Sequence, residues 1–220
     1  MRVTSVVITA LWLLLAAWPV TARAGGIDIV RLKYGGGGDW YNDPDEETNL
    51  LTEFAARTGT AVSAVKVSLA AGDDELFSHP FLFLTGHGEI RFTAREVARL
   101  RLFLQQGGFL YADDDFGMDA SFRREMRRVF PDAPLTELPP DHPIFTCYYD
   151  FSKGMPKIHE HQPGGPQAFG IYWQNRLAVF YTFNTNISDG WMDVHNDPAE
   201  KREQAFKMGV NILWYALTHP

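Results

Sequence analysis

Cysteine is almost absent: Cys147 stands alone among 220 residues, so no internal disulfide can form and the fold must rest on a buried core. Basic residues are also few. Lys+Arg number 20 against 27 Asp+Glu, a formal net charge of −7, which argues against a nucleic-acid partner held by phosphate neutralisation. No internal repeat or low-complexity tract occurs, and 19 Gly with 13 Pro are too few for a collagen-like or disordered chain. After residue 24 no apolar run reaches the roughly 20 residues that span a bilayer. The 45% hydrophobic content is enough to bury one core of ordinary size.

Met1 to Ala24 differs in kind. Arg2, an apolar stretch from Val6 to Val20 and the small-x-small ending Ala22-Arg23-Ala24 read together as a secretory signal cleaved near Ala24. This predicts a periplasmic or secreted acidic domain over residues 25–220, with an uncleaved anchor as the alternative. Cys147, inside the apolar and aromatic run Ile144-Phe145-Thr146-Cys147-Tyr148-Tyr149, is expected to be a buried, inert thiol.

Apolar periodicity then alternates between strand and helix. Ile27 to Lys33 reads as a strand entering Gly35-Gly36-Gly37-Gly38, and a helix capped by Asp43 with Pro44 in its first turn ends at Gly59. Val62 to Leu69 and Phe81 to Leu84 read as strands. Thr93-Ala94-Arg95-Glu96 is a capping box opening a helix that ends at Gly107-Gly108. Phe109 to Ala112 runs into Asp113-Asp114-Asp115, and a helix starting near Asp119 stops at Pro131. Its Arg123, Arg124, Arg127 and Arg128 are expected to form a solvated face. Residues 131–166 lack a sustained period and predict a long ordered loop over the top of the sheet. Ala168 to Trp173 and Leu177 to Phe183 flank a turn, predicting an antiparallel hairpin, and a closing helix starts at Asp197-Pro198. The whole is an α/β pattern: three layers around a mostly parallel, flavodoxin-like sheet with the hairpin at its edge.

Ligands of such sheets bind beyond the carboxyl ends of the strands, where the loops converge. The polar residues expected there are Tyr34, Gly36, Gly37, Asp39 and Trp40 after the first strand, His87 after the third, and Asp113 and Asp114 after the fourth. Asn184, Asn186, Asp189 and Trp191 follow the hairpin. The glycine run lacks the Lys and Ser/Thr of a phosphate loop, so it reads either as a turn admitting another backbone or as a ligand-wrapping loop. Three consecutive carboxylates need compensation. One Asp capping the next helix, one in water and one facing the cleft would suffice; Asp113 or Asp115 with His87 holding Mg²⁺ or Ca²⁺ is the other reading. His159-Glu160-His161 places two imidazoles on one side of an extended segment, a pattern that permits Zn²⁺ together with His87 or His142. Trp40 and Trp191, in Gly- and Asp-rich loops, suit stacking on a sugar ring.

The segments Arg31 to Tyr41, Leu84 to Gly88 and Gly107 to Asp115 are similar to a bacterial family of unknown function, DUF4159, and the likeness covers nearly all of residues 25–220. That family in turn resembles the class I glutamine amidotransferase-like fold of the trehalose-utilisation type, which implies the same three-layer architecture. The nucleophile position of those enzymes corresponds here to Asp113 and Asp114, and the histidine-bearing strand reads Tyr181-Thr182-Phe183-Asn184, so Cys-His glutamine hydrolysis is not implied. Three functional expectations follow. The first is an acidic, aromatic-rimmed cleft for a small polar, carbohydrate-like ligand. The second is a divalent-metal hydrolase centred on Asp113, Asp115 and His87. The third is a cell-envelope interaction module using residues 131–166.

Overall fold

The computed structural model describes residues 26–219, so the expected signal segment, residues 1–24, lies outside the described residues. Among these, the parallel body comprises β1 (Val30–Lys33), β2 (Val67–Ala70), β3 (Phe81–Leu84) and β4 (Phe109–Asp113). A two-residue strand β5 (Thr136–Glu137) precedes the hairpin of β6 (Gln167–Trp173) and β7 (Arg176–Phe183). The hairpin turns through Gln174 and Asn175, whose φ angles of 50° and 66° are the left-handed pair such a short loop requires. The seven strands run in the order β2-β1-β3-β4-β7-β6-β5. β7 pairs with β4 in parallel and β6 with β7 antiparallel. The carboxyl ends of β1, β3, β4 and β7 therefore open on one side.

Alternation along the strands supplies two apolar layers. Phe81 and Phe83 of β3 join Phe109, Tyr111 and Phe180 on one face; Leu82 and Leu84 join Leu110, Ala112 and Val179 on the other. Helices α1 (Glu46–Thr58) and α4 (Ala199–Thr218) cover the first face, and α2 (Ala94–Gln105) and α3 (Asp119–Val129) the second. The result is a three-layer α/β fold, with each fully buried Leu or Phe contributing roughly 1.5–3 kcal/mol. The capping box of α2 is formed as expected: Glu96 N–H donates to Thr93 Oγ1 at 3.2 Å and Thr93 N–H to Glu96 Oε2 at 2.7 Å.

Three expectations need correction. Helix α1 begins at Glu46, after Asp45, and is not capped by Asp43 with Pro44 in its first turn, because the buried Arg31 guanidinium gathers the carbonyls of Trp40, Asn42 and Asp43 and pairs with the carboxylates of Glu46 and Glu47. The chain is wound around that cation before it becomes helical. Strand β2 is confined to Val67–Ala70, and Val62 makes only an isolated bridge to Ile27. The arginines of α3 are not simply a solvated face: Arg124 donates to Ile90 O and Arg128 to Phe92 O, and both pair with the buried Glu125.

Residues 131–166 are largely irregular and pack into the core through Ile144, Phe145, Phe151 and Ile158. Asn211 of α4, fully buried, fastens this segment. Its Oδ1 accepts from Tyr149 N–H at 2.7 Å and its Nδ2 donates to the carbonyls of Ile144 and Tyr149 at 3.1 and 2.8 Å. Cys147 lies against the same helix, and burial pushes its thiol up to about 11, away from nucleophilic use. Among the described residues no helix is long and apolar enough to cross a membrane.

Candidate functional site

The glycine run after β1 lies flat on the loop after β3. Gly35 and Arg91 exchange backbone hydrogen bonds of 3.1 and 2.7 Å, Gly38 N–H donates to Glu89 O, and Asp39 N–H to His87 O. A Cβ on Gly36 would sit 2.7 Å from Glu89 O and one on Gly38 2.6 Å from His87 O. Close backbone approach is thus what these glycines permit. The contact delivers Asp39 to His87: its carboxylate accepts from His87 N–H at 2.5 Å and lies 3.1 Å from Nδ1. Tyr34 is buried and donates to Thr85 O at 3.0 Å, and burial holds its phenol well above the usual range.

Gly86, with φ 133°, shapes the exit of β3, and an added Cβ would stand 2.4 Å from Tyr34 Oη and 3.0 Å from Asp39 Oδ1. Gly86→Ala is therefore expected to destabilise the chain by about 1–3 kcal/mol and to unseat Asp39 from His87. Thermal melting together with the imidazole NMR signal of His87 would check both effects.

The three carboxylates at the carboxyl end of β4 are all buried and have different partners. Asp113 accepts from Ser188 N–H at 2.7 Å and from Thr182 Oγ1, and burial pushes it up to about 7. Asp114 accepts from Met118 N–H at 3.0 Å at the entrance to α3, and burial pushes it up to about 6. Only Asp115 turns to the rim. Its Oδ2 accepts from Asn42 Nδ2 at 2.8 Å and lies 3.0 Å from His87 Nε2, while its Oδ1 accepts from Asn186 Nδ2 at 2.8 Å. Burial, with Asp189 adding to it, pushes Asp115 up to about 7. No Asp of the three points to water, contrary to expectation, because the loop after β7 holds Asp113 and Asp115 and the turn into α3 holds Asp114.

That loop carries the densest cluster. Asn184 (φ 57°) donates to the carbonyls of Gly164 and Gly165, a structural tie. Asn186 (φ 53°) donates toward Asp115, lies 2.9 Å from His161 Nε2 and 3.2 Å from Asp189 Oδ2. Thr185 O accepts from the backbone N–H groups of Ile158 and His159, which brings the His159–His161 segment onto this loop. His159 Nδ1 lies 2.7 Å from Asp189 and Nε2 3.0 Å from Asp197. The hydrogen bond to Asp189 pushes His159 up to about 9. Burial works to raise Asp189, but the bonds from His159 and Asn186 outweigh it and hold that carboxyl below its usual range.

Sequence reasoning brings His159 and His161 together, and the structure supplies Asp189 as the third member of the set, in place of His87 or His142. His142 lies elsewhere, packed on Phe145 and Tyr215. Asp43, Asp189 and His195 make a second set. Asp113, Asp115 and His87 do not assemble as a metal-holding group, since Asp113 faces inward to Thr182 and Ser188. Trp191 cannot stack on a ligand: it is 1% exposed, packs on Phe83 and Tyr111, and its Nε1 donates to Ala205 O at 3.0 Å. Trp40, with Tyr41, lines a separate cavity of 190 Å³ beside residues 63–68. Phe116, which its sequence context reads as a core aromatic, is 52% exposed and 5.1 Å from the His161 ring, and it edges the cluster.

These features define a three-layer α/β domain whose carboxyl-end rim gathers imidazoles and carboxylates from five separate loops. The chain belongs to the family described as Domain of unknown function (DUF4159), which matches residues 28–217. No curated protein matches it.

Proposed function

We propose that this domain holds a divalent cation at His159, His161 and Asp189 and uses it for hydrolytic chemistry on a small polar ligand in the carboxyl-end cleft. The observation that carries this reading is the donor set itself: two imidazoles and a buried carboxylate whose ligand atoms all lie within 4.8 Å of one another. Donors around one tetrahedral ion stand roughly 3.3 Å apart, so a small closure completes the site. Two nitrogens with one oxygen suit Zn²⁺ better than Mg²⁺ or Ca²⁺, which favour all-oxygen cages. The outer contacts agree: Asp197 lies 3.0 Å from His159 Nε2, the kind of carboxylate that orients a ligating imidazole. A bound ion of this type lowers the pKa of its water to about 7 and polarises a carbonyl. The ligand reading draws support from exposed Phe116 beside the cluster and from half-exposed His87, a ring face and polar groups that fit a polyhydroxylated molecule. Export rests on the pattern of residues 1–24 alone.

Titration of chelator-treated protein with Zn²⁺, Mn²⁺, Mg²⁺ and Ca²⁺ tests the reading by calorimetry and melting. Zn²⁺ is expected to bind and, at a hundredfold excess over Kd, to add about 2.7 kcal/mol of stability. His161→Ala, at an exposed position, is expected to lower Zn²⁺ affinity at least about tenfold with the fold intact. Indifference to every ion removes the proposal. A sugar panel and an ester and amide panel, each run with and without the ion, then identify the ligand class.

A further inference from the structure

The donors around Asp189 divide into two sets. His159 and His161 belong to one, Asp43 and His195 to the other, and Asp189 alone is common to both. Neither set extends to a fourth member among the described residues, so the five side chains do not converge on a single point. One member of each set, His159 and His195, have ring centroids 5.4 Å apart, which places the two sets side by side.

Asp189 is 3% exposed, and its two oxygens differ. Oδ2 meets His159 Nδ1 at 2.7 Å and Asn186 Nδ2 at 3.2 Å, whereas Oδ1 is buried with no hydrogen-bond partner. A buried carboxylate oxygen without a partner is unfavourable unless something occupies the space before it. His195 Nε2 is also buried without a hydrogen bond, although Asp43 Oδ1 lies 3.2 Å away. Both unpartnered atoms belong to residues of the second set. Asp43 is held in place from below, since Arg31 donates to its carbonyl at 3.2 Å and to that of Asn42 at 3.1 Å.

We infer that the centre is binuclear, with Asp189 bridging a first ion on His159 and His161 and a second on Asp43 and His195. The inference rests on the proposed metal site and adds to it a second position with its own ligands. A carboxylate that gives one oxygen to each ion holds them roughly 3.5–4 Å apart, the spacing of two-metal hydrolytic centres. The second position, with two carboxylates and one imidazole, is harder in character than the first. It binds its ion more weakly and accepts Mn²⁺ more readily.

Stoichiometry decides the matter. The full chain, stripped with chelator and reloaded with Zn²⁺ or Mn²⁺, is weighed by native mass spectrometry, and the steps are resolved by calorimetry. Two equivalents are expected in two steps. Asp43→Asn and His195→Ala are each expected to lose the weaker equivalent and keep the tighter. His161→Ala loses the tighter, and Asp189→Asn loses both. Circular dichroism confirms that each variant is folded, and Asp43→Asn, which conserves shape, stands in should His195→Ala unfold. One equivalent at saturation in the unaltered chain overturns the binuclear inference and leaves the single-ion site. Two equivalents that survive both Asp43→Asn and His195→Ala also overturn it. No binding at all overturns the single-ion reading as well.

Discussion

Trp191→Ala is expected to destabilise the chain by about 3–5 kcal/mol, the usual penalty for truncating a large buried aromatic. At roughly 2–4 °C per kcal/mol for a chain of this size, the melting temperature should fall by about 10 °C. The indole fills the space between Phe83, Tyr111 and helix α4, where Gly209 leaves room for it: a Cβ at that glycine would stand 2.9 Å from the ring. It also ends the short turn Ser188–Trp191 that carries Asp189, and Asn49 Nδ2 donates to its carbonyl at 2.9 Å. Loss of the ring should therefore loosen Asp189 and weaken the proposed metal site as a secondary effect. Chemical denaturation of the apo chain separates the two roles. An unchanged unfolding midpoint with impaired ligand binding would return Trp191 to the status of a binding platform and contradict its place in the core.

What could be read without coordinates was whatever depends on local order. The period of β3 and β4, the Thr93–Glu96 box and the turn at Gln174-Asn175 are local, and all are formed. Convergence of the strand exits follows from parallel pairing alone, which is why Asp39, His87, Asp115, Asn186 and Asp189 could be expected on one rim. The two-residue spacing of His159 and His161 was equally legible. Their third partner was not, because only the fold brings residue 189 to residue 159.

Burial was the least legible quantity. Asp113 and Asp114 look like cleft residues in a linear string, but the backbone N–H groups of Ser188 and Met118 draw them inward. Asp43 looks like a helix cap, yet Arg31 pulls its carbonyl out of helical register and frees its carboxylate to face His195. His195 itself lies in a stretch with no periodic signal. A tryptophan directly after Asp189-Gly190 reads as a loop residue, and only the small side of α4 at Gly209 explains why it is core.

In chelator, the apo protein should be most stable near pH 4 and lose stability toward pH 9. The sign follows from the buried carboxyls. Asp113 and Asp115 rise from 3.8 to about 7 and Asp114 to about 6, in each case chiefly through burial, so between pH 4 and pH 7 the native state holds protons that the unfolded chain has released. The carboxyl contribution therefore falls as pH rises through that window and levels off above it. For Asp113 alone about three pH units at 1.36 kcal/mol each give roughly 4 kcal/mol as an upper bound. His159, raised from 6.5 to about 9 by Asp189, acts in the same direction: its contribution is full below pH 6.5 and is lost as pH rises through 9. His142 and His161 oppose this, since burial lowers both and their contribution is lost as pH falls below 6.5. Asp113→Asn keeps the shape and an acceptor for Ser188 while removing the buried charge. It should raise the melting temperature by several degrees at pH 8, change it little at pH 5, and flatten the profile between them. Equal effects at both pH values would mean that Asp113 keeps an ordinary pKa and that the pH dependence arises elsewhere.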